Sequence, residues 1–184
     1  MHKTTTRGNT TYHHIVQRSI EWFKLKQLHP LSASRAGDLL TFGAKKLLDF
    51  PEKKFNGNYW TNRGQLLEKP AIELYEQVKN VKTKSIGFIT NSNYKLCGYS
   101  PDNYLKDRFI EVKCFNDRKH LNLRYEIPFE VIAQVQFGMM IGEKGLCDLI
   151  GYNPDLEPED CLIIITIERD ERVIKNIKRQ LRIN

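Results

Sequence analysis

Apolar positions set at helical spacing open the ordered part of the chain. Ala36, Leu39 and Leu40 share one side of a short helix that Ser34 is placed to cap and Gly43 to end. Leu67, Ala71, Leu74, Tyr75 and Val78 recur three and four residues apart, predicting a second helix from Arg63 to Val78 in which Pro70 marks a kink or a restart. The period then shortens. Ser85 to Thr90, Tyr94 to Tyr99, Arg108 to Phe115, Leu146 to Tyr152 and Cys161 to Glu168 read as strands. A helix from Pro128 to about Ile141 separates the third strand from the fourth, and Val173, Ile174, Ile177 and Leu181 predict a C-terminal amphipathic helix with a solvated basic face. This order predicts an α/β (α+β) fold: a mixed central sheet flanked by helices, its strand block interrupted by one crossover helix. Without repeats or a low-complexity linker, a single domain over residues 16–184 is the economical reading. The polar, Thr-rich residues 1–15 are expected to be disordered.

Composition narrows the class. At 184 residues, 40% hydrophobic and 28% charged, the chain has the mixture of a globular domain with a sizeable core. No stretch approaches the ~20 apolar residues of a membrane span. The polar start lacks the apolar core of a secretory signal, so the expected location is cytoplasmic. Cys97, Cys114, Cys147 and Cys161 form no CxxC pair and lie in or beside apolar runs, which reads as small core residues rather than a zinc or iron–sulfur site. The formal net charge of +7 suits a nucleic-acid partner, because Lys and Arg contacts to phosphate release counterions, although a basic soluble protein would carry it too.

The candidate chemistry lies in Ser100-Pro101-Asp102 followed by Phe109-Ile110-Glu111-Val112-Lys113-Cys114. Strand alternation points Glu111 and Lys113 to one face and Ile110, Val112 and Cys114 to the other. Alone, that pattern also fits an edge strand with a solvated face. Asp102 changes its meaning. The polar, turn-like segment Asn103 to Asp107 allows a hairpin that sets Asp102 near Glu111, and two facing carboxylates repel unless a cation lies between them. Hard oxygen ligands select magnesium or manganese. Lys113 would stand beside them, either with a lowered pKa as a base or as a cation orienting the attacking water. Phosphodiester hydrolysis uses such a centre: one metal makes a nucleophile of water, and a second, roughly 4 Å away, stabilises the leaving oxygen.

Asp102, Glu111 and Lys113 resemble the PD-(D/E)xK nuclease pattern, and more of the chain agrees. Arg63-Gly64-Gln65-Leu66-Leu67-Glu68-Lys69-Pro70-Ala71 resembles the G-x-x-x-E-x-x-A helix of the lambda exonuclease and YqaJ recombinase family. Ala133-Gln134-Val135-Gln136 resembles its Q-x-Q helix, Glu21-Trp22 and Ser32-Ala33-Ser34-Arg35 its opening motifs, and Ile167-Glu168-Arg169-Asp170 its closing strand. The resemblance implies a restriction-endonuclease-like core. Asp102, Glu111, Glu68 and the Val112 carbonyl would be metal ligands, Lys113 would serve the nucleophilic water, and Gln134 would support the site, with Gln136 the alternative. It implies two Mg2+ per site, which Mn2+ can replace. It also implies 5′-to-3′ degradation of one strand of linear duplex DNA, leaving 3′ tails for an annealing partner, by a ring-shaped homotrimer. The 5′-phosphate would meet Lys26, Ser34, Ser100 and Arg118, with Lys119 competing for the last role. Here the chain departs from the family twice: Lys26 stands where Arg is usual, and the spacing after Lys113 is shorter; Ser34 also suits a helix cap and Ser100 a turn. Trp22 is a base-stacking candidate or a rim aromatic. Two other readings remain: a PD-(D/E)xK endonuclease of restriction or repair type, and a non-catalytic DNA-binding subunit with a vestigial site.

Overall fold

The computed structural model describes residues 2–49 and 58–182. Two sheets organise them. Strands β1 (Lys3–Arg7), β2 (Thr10–His14), β3 (Leu31–Ser32), β4 (Phe88–Asn91) and β5 (Cys97–Tyr99) form one sheet in the order β1-β2-β4-β5-β3. Strands β6 (Asn103–Tyr104), β7 (Arg108–Lys113), β8 (Leu146–Tyr152) and β9 (Leu162–Glu168) form the other, in sequence order. β7 and β8 are parallel, which requires a crossover. Helices α4 (Asp117–Asn122) and α5 (Phe129–Gly142) supply it, while β6–β7 and β8–β9 pair antiparallel.

β7 lies between two helices. On one face, Ile110 and Val112 join Ile150 of β8 against Ala71, Ile72 and Tyr75 of helix α3 (Tyr59–Lys79). The other face turns toward α5, where Phe109 and Tyr99 pack with the buried Val135, Phe137, Met139 and Ile141. α5 is apolar nearly all round because sheet, α2 (Ala36–Asp49) and α6 (Glu171–Gln180) enclose it. Local signals fix the helix ends. Asn58 accepts from the Thr61 amide to start α3, and Asn80 ends it in the left-handed region at φ 50. Asp170 caps α6 through the Arg172 amide.

The mixed, helix-flanked sheet arrangement matches the expectation from the sequence; several details differ. Residues 3–14, expected to be disordered, form the β1–β2 hairpin, because Thr10 and Tyr12 bury their side chains while β2 pairs with β4. Alternating threonines form a strand when one face finds a core. α3 starts at Tyr59 rather than Arg63 and runs through Pro70 without a break. The strand expected over 94–99 keeps only its last three residues, since the Cys97 amide turns back to the Tyr94 carbonyl. Ser34 does not cap α2. It lies exposed within a 3-10 turn, Ala33–Arg35, sharing a 3.0 Å hydrogen bond with the Ser32 hydroxyl. Gly43 bends α2 at φ 79, and the helix resumes to Asp49. α4 and helix α1 (Ile20–Leu28) carry no amphipathic period and were not expected. All four cysteines are free, Cys97 and Cys147 fully buried.

Candidate active site

The β6–β7 hairpin positions the first carboxylate. Its register pairs Asn103 with Ile110 and Tyr104 with Phe109, so the next step outward sets Asp102 across from Glu111. The turn is pinned from below: the buried Lys144 ammonium donates to the carbonyls of Leu105 at 3.0 Å and Lys106 at 2.8 Å. Asp102 Oδ2 accepts the Val112 amide at 2.6 Å, which locks its carboxylate onto β7.

Glu111, 3% exposed, is the hub of a polar network inside an apolar layer. Its Oε1 accepts from Lys113 Nζ at 2.8 Å and from the Gln134 side-chain amide, and its Oε2 accepts the Tyr99 phenol at 3.2 Å. Lys113 closes the triangle by donating to Gln134 Oε1 at 3.1 Å. The two glutamines thereby separate. Gln134 reaches the Glu111–Lys113 pair, whereas Gln136 donates to the Glu168 carbonyl and accepts the Asp170 amide, a tie between α5 and the end of β9.

Glu68 approaches from α3 on the other side of β7. It lines a small open pocket of about 160 Å³ with Asp102, Val112, Cys114 and Arg18, whose guanidinium stands 4.0 Å from Glu68. Burial, then the charge of Glu111, then that of Glu68, push the Asp102 carboxyl well above the usual carboxylate range. Burial also raises Glu68; Arg18 opposes this and Glu111 reinforces it. Lys113 goes the other way to most enclosed amines. Burial works to lower its pKa, but Glu111 and Asp102 outweigh it, so the ammonium form is favoured.

These donors bear on whether a cation fits. Among the described residues, no three His, Cys, Asp or Glu side chains converge as a ready ligand group. The chemistry of the pocket nevertheless suits a hard divalent ion. Glu68 and Asp102 both face it, each raised by burial and by neighbouring carboxylate charge, and an interposed cation reverses that repulsion.

The residues expected to hold a 5′-phosphate fall into three places. The Trp22 indole nitrogen donates to Ser100 Oγ at 2.8 Å and the Gly87 carbonyl at 3.1 Å, while Lys26 Nζ sits 4.9 Å above its ring. Ser100 and Lys26 are thus neighbours through Trp22, whose N–H is committed to hydrogen bonds and whose ring lies under the Lys26 ammonium. Ser100 also donates to Gly87, so its hydroxyl is largely used. Ser34 bonds Ser32. Arg118 lines a separate pocket of about 300 Å³ with Tyr59, Trp60 and Arg63, and the Lys119 ammonium sits 6.0 Å from the Phe115 ring centroid.

Three positioning groups escaped the sequence reading. Tyr99 holds Glu111. Arg18 faces Glu68 from a left-handed turn at φ 65. Arg63 bridges α3 to Asn153 and Asp155, both at 2.7 Å. Only Arg63 left a trace, inside the motif that carries Glu68. Tyr99 itself is seated by Gly138, where a Cβ would come within 2.6 Å of the phenol ring. Gly138→Ala is therefore expected to cost about 1–3 kcal/mol, the usual range for overpacking a full core. It should also weaken catalysis by displacing Tyr99 from Glu111. Urea unfolding alongside nuclease rates checks this; unchanged values for both would remove Tyr99 from the site.

Comparisons with known proteins agree with this geometry. The family model described as YqaJ-like viral recombinase domain matches residues 21–145. An alkaline exonuclease from Laribacter hongkongensis, LHK-Exo, superposes with a TM-score of 0.77 at 26% identity over 89% of each chain, and its complex with dAMP gives the same values. A phage-related exonuclease from Haemophilus somnus 129PT shares the fold, with a TM-score of 0.60 at 16% identity over 82% of this chain and 89% of that one. A search of curated protein sequences finds no significant match.

Proposed function

The chain belongs to the YqaJ-like viral recombinase family, and from that premise we propose that this nuclease is a magnesium-dependent 5′-to-3′ exonuclease acting on linear duplex DNA. The observation that carries the reading is the network joining Glu111, Lys113 and Gln134 beside the Glu68–Asp102 pocket. Glu68, Asp102, Glu111 and the Val112 carbonyl would hold the metal, two Mg2+ per site with Mn2+ able to substitute. When bound, the metal lowers the pKa of water and stabilises charge on the leaving oxygen.

The protein's own groups do the rest. Asp102 is fixed by the Val112 amide, so its free oxygen keeps one direction. Gln134 and Tyr99 hold the Glu111 carboxylate by hydrogen bonds to both oxygens, which keeps a buried anion satisfied. Lys113, kept protonated by Glu111 and Asp102, supplies positive charge and a donor beside the reacting phosphate and orients the attacking water. A cation here serves that role better than a base would. Lys26, Ser100 and Arg118 are the proposed contacts for a 5′-terminal phosphate, with Lys119 beside Arg118. Ser34 is the weakest member, because its hydroxyl is paired with Ser32. The products would be 3′ single-stranded tails for a strand-annealing partner. The enzyme would work as a cytoplasmic homotrimer built from one nuclease domain, which takes in the β1–β2 hairpin as well as residues 16–184 because β2 pairs with β4; among the described residues no helix is long and apolar enough to cross a membrane.

The test uses one plasmid in three forms with magnesium: linear with 5′-phosphate, linear with 5′-hydroxyl, and covalently closed. The phosphorylated linear form should disappear fastest and the closed circle should persist. Cutting of the circle as fast as the linear forms would turn the assignment to an endonuclease. Equal rates on the two linear ends would remove the phosphate contacts.

A further inference from the structure

A larger cavity, about 390 Å³, lies away from the catalytic pocket. Its floor is Leu31 of β3 and Cys97 of β5, both only 2% exposed, at the point where the two strands pair. Leu96, Leu181 and Tyr94 extend the apolar lining. The rim differs in character. Lys95 comes from the β4–β5 connection, Lys178 from the last turn of α6 and Arg182 from just beyond its end; among the described residues no Asp or Glu lines the cavity. Lys175 and Arg179 continue the exposed basic face of α6, and none of Lys95, Lys175, Lys178, Arg179 or Arg182 has an ion-pair partner among the described residues. The site is distinct from the catalytic centre: β5 begins at this cavity and leads to Asp102 five residues on, roughly 17 Å along an extended chain.

An apolar lining under a rim whose charged groups are all cations, with the neutral polar Asn93 beside them, restricts what fits. A DNA backbone would satisfy the rim but bring nothing apolar to cover Leu96, which is 38% exposed, or the half-buried Leu181 and Tyr94 beside it. A neutral hydrophobic peptide would cover that lining but leave clustered cations facing one another. A peptide with acidic residues followed by a bulky apolar side chain answers both: the apolar group packs on Leu96, Leu181 and Tyr94 above the buried floor, and its carboxylates pair with Lys95, Lys178 and Arg182. We propose that this cavity is a docking site for an acidic, apolar-ended peptide segment of a partner protein. The site leaves the catalytic pocket open, so a bound partner and a DNA end can be held together. The inference does not depend on the polarity or metal preference of the nuclease.

The test uses full-length protein and a short fluorescein-labelled peptide of aspartates ending in two leucines, read by anisotropy at low and moderate salt. The parent should bind it, and replacing the leucines by alanine should weaken binding at least about tenfold, as loss of a buried anchor does. Lys178→Glu with Arg182→Glu should weaken binding by a similar factor, about tenfold, while digestion of naked linear duplex stays within about twofold, since these are exposed charges remote from the chemistry. Leu96→Ala provides a second, uncharged lesion in the lining and should weaken binding without changing the salt dependence. The proposal is overturned if the parent does not bind the peptide, if the charge-reversed variant binds it equally well, or if a short duplex displaces the peptide from the parent, which would make the surface a nucleic-acid contact.

Discussion

Lys113→Ala is expected to bind linear duplex and to degrade it about a thousandfold or more slowly, in the range seen when a preorganised charge or proton donor is removed from a reacting centre. The ammonium is bracketed by Glu111 at 2.8 Å and Gln134 at 3.1 Å, and both hold it at one point in space. Alanine removes the cation that balances Glu111 and Asp102, so the remaining carboxylates should repel more strongly and take up metal more readily even as turnover falls. Lys113→Arg is not a conservative rescue, because a planar fork cannot replace a compact ammonium in that triangle. Gel-shift binding, magnesium titration and initial rates on one linear substrate separate these effects. A variant that binds DNA and degrades it as fast as the parent would falsify the role given to Lys113.

How much of this was legible in the sequence follows from how locally each feature is determined. The strand carrying Glu111 and Lys113 could be read from its alternation, and the polar stretch before it predicted the hairpin that carries Asp102 across. Glu68 and Gln134 were reached by family motif; Glu68 lines the pocket with Asp102, and Gln134 bonds Glu111. The choice between Gln134 and Gln136 was not open to sequence. The two share a helix two residues apart, and only the contact of α5 with β7 on one side and β9 on the other tells them apart. Tyr99 was missed for the same reason: its phenol reaches Glu111 across strands, and its place depends on Gly138 in a helix far along the chain. The N-terminal hairpin was misread because its threonines look solvated until β4 supplies a partner. In each case the local period was right or silent, and tertiary packing decided the outcome.

The same reasoning separates what the site does from what holds the fold together. Asp148 is as buried as Glu111 and receives the Tyr75 and Thr166 hydroxyls at 2.6 and 2.7 Å and Arg108 at 3.1 Å. It is a buried carboxylate satisfied by the protein and lines neither the catalytic pocket nor the other cavities described above, so its burial is structural. Asp102 and Glu68 differ in having spare oxygen valence directed at an opening, with like charge close by. An arrangement that costs stability persists when something else uses it.

Asp102→Asn should therefore have opposite effects on stability and activity. Burial, Glu111 and Glu68 all disfavour the Asp102 anion, so its folded pKa lies above the unfolded value. A carboxyl shifted in that direction adds stability at acid pH and gives it up as pH rises through its folded value, so at neutral pH the anion is a burden on the metal-free protein. Asparagine keeps an oxygen to accept the Val112 amide and removes the charge. The metal-free variant should melt roughly 2–4 °C higher at pH 7, corresponding to about 1 kcal/mol in a domain of this size. Magnesium should reverse the order. A ligand at a hundred times its dissociation constant adds about 2.7 kcal/mol to the folded state that binds it, so the parent should gain several degrees while the variant gains little. Cleavage by the variant should fall about a thousandfold or more, as expected for losing a ligand that fixes the metal. Melting curves with and without magnesium, read beside rates on linear duplex, check all three. A variant less stable than the parent without metal, or equally stabilised by magnesium, would show that Asp102 holds the fold rather than the ion.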